Sequence, residues 1–313
     1  MHIFRKLNEL TGTQQRSVVS VGNFDGVHLG HRMVLESMVE RARALNAASA
    51  IVTFDPHPSH VLHSSRRTPL ITPLEEKLSL LADAGIDLAV VLPFNEELRR
   101  WSAREFAQRV LHDALHTVEV HEGETFRFGY GAAADVTSLS DLGRGFGFAV
   151  RAYEPRIIDG APVSSSRIRA LIAAGDISDA NALLGRDFSV RSTPAPGRGY
   201  GSRYTVPTIN LARYSELLPA IGVYVTKLAI GLNKNARVFQ GVTNVGNRPT
   251  FGADSFAVET HLLNFEPIEL NESTPLELSF LHRLRDERRF ASPEELRAQI
   301  QLDVAEAKKI FAG

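Results

Sequence analysis

The chain of 313 residues contains no cysteine, which excludes disulfides, thiol nucleophiles and thiolate metal sites. Charge of one sign is also lacking: 35 Lys and Arg stand against 36 Asp and Glu, a formal net charge of −1. That balance calls for no polyanionic partner, so a nucleic-acid role has no electrostatic support. No stretch approaches the ~18 consecutive apolar residues of a membrane span. The N-terminal Met-His-Ile-Phe-Arg-Lys run lacks the apolar core of a secretory leader. These absences predict a cytoplasmic protein with no membrane partner, and they leave the oligomeric state open. What remains is ordinary globular composition, 43% hydrophobic and 23% charged, in a chain long enough for two domains.

The densest chemical signal is Ser20-Val-Gly-Asn-Phe-Asp-Gly-Val-His28-Leu-Gly-His31. Ser17 to Val21 reads as a strand, and Phe24-Asp25-Gly26 as the turn that ends it. From Leu29 onward Val34, Leu35, Met38, Val39, Ala42 and Leu45 recur at helical spacing, so the histidines open a helix. A helix start offers free N–H groups and partial positive charge to a phosphate. Gly30 removes a side chain where the backbone would have to approach that phosphate, and Gly22, Phe24 and Asp25 of the preceding turn are expected at the nucleotide with it. His28 and His31, three apart, can donate hydrogen bonds to the charge that develops at a pentavalent phosphorus. Alone, such a pair is commonly a surface pair or an adventitious metal site; its strand-to-helix setting favours nucleotide chemistry.

The first half alternates strand and helix: Ser49 to Phe54, a helix near Pro73 to Ala84, Leu88 to Leu92, a helix over Ser102 to Leu115 with a Ser102/Glu105 capping box, then strands at Val118 to Val120 and Phe148 to Val150. Alternation of this kind implies βαβ units and a parallel sheet. Near residue 186 the pattern changes to short alternating segments, Gly222 to Ile230, Arg237 to Thr243, Ala257 to Phe265 and Leu276 to Leu281, which predict an antiparallel barrel or sandwich. A last helix starts at Ser292-Pro293-Glu-Glu295, with Leu296, Ile300, Val304, Ala307 and Phe311 as a core-facing stripe. The domains expected are 1–185 and 186–313.

Further motifs are individually modest. Ser164 and Ser165 open a second helix that carries Arg167 and Arg169; serines there are ordinary caps, but two guanidinium groups in the same turn make an anion site. Gly197, Gly199 and Gly201 lie in a loop whose N–H groups can wrap phosphates. Thr208 and Asn210, two apart in an extended segment, present hard oxygen atoms to one side, as Mg²⁺ prefers, or make a simple turn contact. Glu259, on a strand face shared with Ala257 and His261, is either a general base for a primary alcohol or a rim residue. Phe126 and Phe128 suit a stacked ring or the core.

Taken in order, these runs resemble the bacterial bifunctional riboflavin kinase/FAD synthetase family. The match includes Gly22 to His31, Thr53-Phe-Asp-Pro-His-Pro58, Phe126-Arg-Phe-Gly129, Val163 to Arg169, Pro207-Thr-Ile-Asn210, Val245-Gly-Asn-Arg-Pro-Thr250, Val258-Glu-Thr-His261 and Leu284 to Phe290, and it spans roughly residues 17 to 311. The resemblance implies a Rossmann-like α/β nucleotidyltransferase domain followed by an antiparallel β-barrel kinase domain with a C-terminal helix. Riboflavin, FMN, FAD and ATP become the expected small-molecule partners. His28 and His31 would act on the α-phosphate, with Ser164, Ser165 and Arg169 on the outer phosphates. Asp55, His57, Phe126, Phe128 and Arg285 would face the flavin. Thr208 and Asn210 would hold Mg-ATP, and Glu259 would be the base.

Some positions depart from that family's pattern. Thr125, Ala134, Thr205, Val206 and Ile209 replace the usual residues beside the motifs, and Glu269-Leu-Asn-Glu272 stands where an acidic-Leu-Tyr-Gly segment is usual. They touch substrate contacts rather than the fold. Three other functions remain conceivable from sequence: an FAD synthetase with a silent, flavin-binding barrel, a flavin-binding protein without turnover, and an adenylyltransferase with another acceptor.

Overall fold

The computed structural model describes residues 1–10, 15–62, 67–195, 208–232, 236–247, 256–263 and 270–312. Gly197, Gly199, Gly201, Thr205, Val206 and Glu269 lie outside the described residues. The chain forms two compact units, Met1–Ser165 and Ser166–Gly313.

The first unit is built on a six-stranded sheet in which every pairing is parallel. Its strands are β1 (His2–Phe4), β2 (Ser17–Val21), β3 (Ala48–Phe54), β4 (Leu88–Leu92), β5 (Thr117–Gly123) and β6 (Ala149–Tyr153), in the spatial order β1-β4-β3-β2-β5-β6. β2, at SVVSV, is buried on both faces, as a central parallel strand requires. Helices α1 (Leu29–Ala44) and α2 (Leu74–Asp83) follow β2 and β3 in the chain. α1 buries Val34, Leu35, Met38, Val39 and Ala42. The capping box at Ser102 and Glu105 is present, but the helix it opens, α3 (Ala103–Phe106), continues over Ala107–Ala114 in wider π turns. A helix that periodicity did not reveal, α4 (Val136–Phe146), precedes β6. The sheet runs outward from β2 in both directions, to β3 and to β5. The crevice beyond the carboxyl ends of those two strands is therefore its topological switch point, where open α/β sheets bind ligands.

The first unit ends at Ser165, the first residue of α5 (Ser165–Ala174); the second holds the rest of that helix, α6 (Ile177–Leu184) and seven antiparallel strands. These are β9 (Phe188–Ser192), β10 (Pro194–Ala195), β11 (Thr208–Leu211), β12 (Gly222–Ile230), β13 (Arg237–Asn247), β14 (Phe256–Leu262) and β15 (Leu276–Arg285), after a small β7–β8 hairpin (Ile157–Ile158, Ala161–Pro162) in the first unit. α6 groups with this sheet because Asn181 donates to the Phe280 carbonyl and accepts from the Phe188 N–H. The order β10-β11-β14-β13-β12-β15-β9 puts one continuous segment at both edges. Phe188–Ser192 pairs with β15, and two residues later Pro194–Ala195 pairs with β11. The sheet thereby curls back on itself as an antiparallel barrel does. Tyr224, Phe188 and Phe280 fill its inside, beside a fully buried hydroxyl chain Thr226–Thr243–Thr260 with oxygen separations of 2.7 and 2.9 Å.

The outer face of β12 and β13 is covered by α7 (Pro293–Ala312), whose Val304, Ala307, Ile310 and Phe311 pack on Val223, Val225 and Val242. The stripe expected to be core throughout is core only in this C-terminal half. Leu296 and Ile300 are 42% and 37% exposed, because the helix outruns the apolar surface it covers.

Candidate active site

The loop from β2 to α1 has an unusual backbone. Phe24, Gly26 and Val27 have φ of 48°, 87° and 38°, and a β-branched residue in the left-handed region is strained. Asp25 holds it there. Its buried carboxylate accepts from the N–H groups of Ile71 and Thr72, at 3.0 Å each, and Gly26 N–H donates to the Thr72 hydroxyl at 2.6 Å. Asp25, expected at the nucleotide, thus has its oxygens turned to residues 71 and 72, and it serves the site through the loop.

The loop delivers His28 to the N-cap of α1. His28 Nδ1 accepts the His31 N–H at 3.3 Å, and the two imidazoles stack 3.6 Å apart, with 15° between their planes. Because Nδ1 accepts, the proton of neutral His28 sits on Nε2. Phe24 stands edge-on to His31 at 5.3 Å. Burial, then the His28 ring and then Lys77, hold His31 well below the usual imidazole range, so His31 is neutral at physiological pH. Its buried Nδ1 has no hydrogen-bond partner. A Cβ on Gly30 would press on the His28 ring at 3.2 Å and reach the Val163 carbonyl at 3.5 Å.

These residues open onto a cavity of about 310 Å³ at the switch point. Gly22, Phe24, His28, Gly30 and His31 line it from the β2–α1 side, Glu122 to Phe126 from the end of β5, Tyr153 to Arg156 from the end of β6, and Ser164 and Ser165 from the start of α5. Ser165 donates to the Asp25 carbonyl at 2.8 Å, which ties the second serine motif to the first loop. Phe126 and Thr125 line the cavity, whereas Phe128 packs in the core against Phe106, and Ala134 bridges to Phe128 through the backbone. Asp55 is exposed beyond the end of β3, and His57 bonds Ser59 at 2.8 Å; neither lines the cavity. Arg167 and Arg169 follow on the first turn of α5, both half-buried.

Three polar groups near this site escaped the sequence reading. Glu122, in the cavity wall, accepts the Val21 N–H at 2.6 Å, and burial pushes its carboxyl well up from the usual carboxylate range. Glu119 pairs with Arg41 and Arg151 and bonds His121, whose Nδ1 meets the Tyr153 hydroxyl at 2.8 Å. Hydrogen bonding from Arg41 in the first place holds Glu119 down to about 2. Lys77, buried on α2, is the third. The available signal was helical phase: Lys77 and Glu76 adjoin Leu78 and Leu81 on the face that α2 buries.

In the barrel, strand register assembles a second constellation. Asn210, Glu259 and Asn244 are directly opposite one another on β11, β14 and β13, and Thr208, His261 and Val242 form the adjacent row. Directly paired residues share a face, here the outer one, beside the apolar surface covered by α7. Thr208 is exposed, Asn210 is 9% exposed, and Ile209 faces the barrel interior. Asn244, not anticipated, donates to Glu287 at 3.4 Å. Hydroxyl, amide and carboxylate oxygens on neighbouring strands are a donor set that fits Mg²⁺. Arg285 is committed elsewhere: it forms a two-pronged pair with buried Asp303 of α7, at 2.9 and 2.7 Å.

A doubly wound sheet with an imidazole pair at a helix start in its switch-point cavity, joined to an antiparallel barrel, defines a two-unit enzyme for phosphate chemistry on nucleotides. The FAD synthetase family model matches residues 10–167, and the riboflavin kinase model matches 184–311. A bifunctional riboflavin kinase/FMN adenylyltransferase of Pseudomonas fluorescens is 34% identical over 100% of this chain and 98% of its own. Those of Haemophilus influenzae and Escherichia coli are each 30% identical, over 99% of this chain and 99% and 98% of theirs. The chain belongs to the bifunctional riboflavin kinase/FMN adenylyltransferase family. A crystal structure described as a macrolide-efflux protein of Streptococcus pneumoniae superposes with a TM-score of 0.87 at 24% identity, covering 98% of each chain. At that identity the likeness shows the fold alone, and no helix among the described residues is long and apolar enough to cross a membrane.

Proposed function

We infer that this chain makes flavin cofactors in two steps. ATP phosphorylates the primary hydroxyl of riboflavin to give FMN, and a second ATP adenylylates FMN to give FAD and pyrophosphate. The observation that carries the assignment of the second step is the stacked His28–His31 pair, held by a strained loop in a cavity that also receives Ser164 and Ser165. An FMN phosphate oxygen attacks the α-phosphorus of ATP, and the bond to the pyrophosphate oxygen breaks. The N–H groups of His28 and His31, with the backbone at the head of α1, stabilise the extra negative charge on the α-phosphate oxygens. Ser164, Ser165, Arg167 and Arg169 hold the departing pyrophosphate.

The barrel performs the first step. Glu259 accepts the proton of the riboflavin hydroxyl as its oxygen attacks the γ-phosphorus, and the bond from that phosphorus to the β-phosphate oxygen breaks to release ADP. Thr208 and Asn210 would hold Mg²⁺, which when bound neutralises charge on the ATP phosphates. Asn244 stands opposite Glu259 in the same row. The functional boundary proposed at 185/186 is supported by the start of the riboflavin kinase match at residue 184, whereas the compact units divide at 165/166. The requirement of both half-reactions for ATP supports a cytoplasmic site of action.

The test is a time course with pure protein, riboflavin, ATP and Mg²⁺, with the flavins separated by chromatography. FMN should rise first, with FAD following after a lag. FAD only when FMN is supplied would mean a silent barrel, and no product from either flavin would leave a binding protein.

A further inference from the structure

Lys77 is the charged group for which the two-step chemistry leaves no role. It sits on α2 at 6% exposure, and its Nζ donates to the Asn23 carbonyl and to the Thr53 hydroxyl, both at 3.0 Å. Thr53 in turn donates to the same Asn23 carbonyl at 3.4 Å. A buried ammonium loses several kcal/mol of hydration unless its surroundings replace water, so a structural anchor of this loop would be built more cheaply from a neutral donor. One bond goes directly to the loop whose next residues carry positive φ and end at His28, and the other goes to Thr53 of β3, which itself bonds the same loop carbonyl. The charge lies close enough to His31 to act on it through space.

We propose that Lys77 is a positioning residue for adenylyl transfer: it pins the strained Asn23–Val27 loop and supplies a fixed positive charge beside the His28–His31 pair. The proposal rests on the reading of this cavity as the adenylylation site. In that role the ammonium does two things. It keeps the neutral form of His31 favoured, so that this ring enters the reaction as a neutral donor, and it adds to the positive potential into which the α-phosphate charge grows. The other titratable groups around the pair are His28 at the head of the same helix, with Glu122, Glu124, Glu154 and Arg156 on the cavity wall. Asp25 and Asp55 act on Lys77 itself and offset part of the burial that lowers it to about 8.

The experiment compares wild type, Lys77→Met and Lys77→Arg in FAD formation from FMN and Mg-ATP across the pH range, with riboflavin phosphorylation by the same preparations as the folding control. The His31 ring is titrated in parallel by NMR. In Lys77→Met, kcat for FAD formation should fall about 10–100-fold with phosphorylation unchanged. The acidic limb of its pH profile and the His31 titration should both move to higher pH, since the repelling charge is gone. In wild type FAD formation should decline above about pH 8, where Lys77 loses its proton, and Lys77→Arg should carry that decline to higher pH. Should the Met variant not fold, Lys77→Gln keeps a donor without the charge and bears the same test. Unchanged kcat, or lost activity with the His31 titration and both limbs unmoved, would overturn the proposal, the latter leaving Lys77 a mere strut. No FAD from wild type and FMN would instead remove the reading beneath it.

Discussion

His28 and His31 differ in what the helix start does to them. His28 spends Nδ1 on the backbone and keeps Nε2–H as its donor, whereas the Nδ1 of His31 is enclosed and unbonded. Replacing either ring with Ala should lower FAD formation from FMN by about 10²–10³-fold and leave riboflavin phosphorylation intact. Loss of both activities in a folded variant would break the division of labour between the units. In the barrel, Glu259→Gln should reduce phosphorylation by about 10²–10⁴-fold while FAD still forms from supplied FMN, as measured by product chromatography. Both histidines were legible because a polar pair at a strand-to-helix junction has few purely structural uses. Glu122 and Lys77 were not, since a charge inside an otherwise regular strand or helix looks solvent-facing until its neighbours in space are known. Asn244 entered the site through register alone: it is fifteen positions or more from its row partners in sequence, and only β-pairing brings it opposite Glu259.

At the scale of elements, the β2–α1 loop is the part most exposed to single substitutions. Asp25→Ala removes the acceptor of two buried N–H groups. The expected cost is about 1–3 kcal/mol, seen as a lower thermal midpoint, together with a drop in FAD formation larger than any change in phosphorylation. Equal loss of both activities would mean the loop supports the whole fold rather than the histidines. Strands β2, β3, β4 and β12 lay where apolar runs predicted them, because their burial is set by the sheet they share. Helix α4 stayed hidden since Gly143 and Gly145 interrupt its pattern. Gly143 is required by packing, as a Cβ there would stand 2.5 Å from the Phe148 carbonyl oxygen. The N-terminal half of α7 misled in the opposite sense: its apolar spacing is helical, yet the barrel surface ends before Leu296 and Ile300.

For the molecule as a whole, acid stability is tied to Glu119, the carboxylate shared by Arg41, Arg151 and His121. Its folded value near 2 lies below the unfolded value near 4.5. Its contribution is therefore complete above the unfolded value and fades as pH falls toward 2. Glu119→Gln should lower the thermal midpoint of the first unit at pH 7, and the gap from wild type should close on acidification through that window. A gap independent of pH would mean the ion pairs are not its source.

The placing of one segment at both edges of the barrel sheet has a consequence for how the protein comes into being. All six strands of the first sheet are complete once Tyr153 has been added, whereas Phe188–Ser192 must await Leu276–Phe280 before it has its ladder partner. At ~5–20 residues per second that wait is about 4–18 s on the ribosome, and such distant pairings are intrinsically slow to form. The adenylylating half is thus born first and the phosphorylating half last, the reverse of the order in which they handle the flavin.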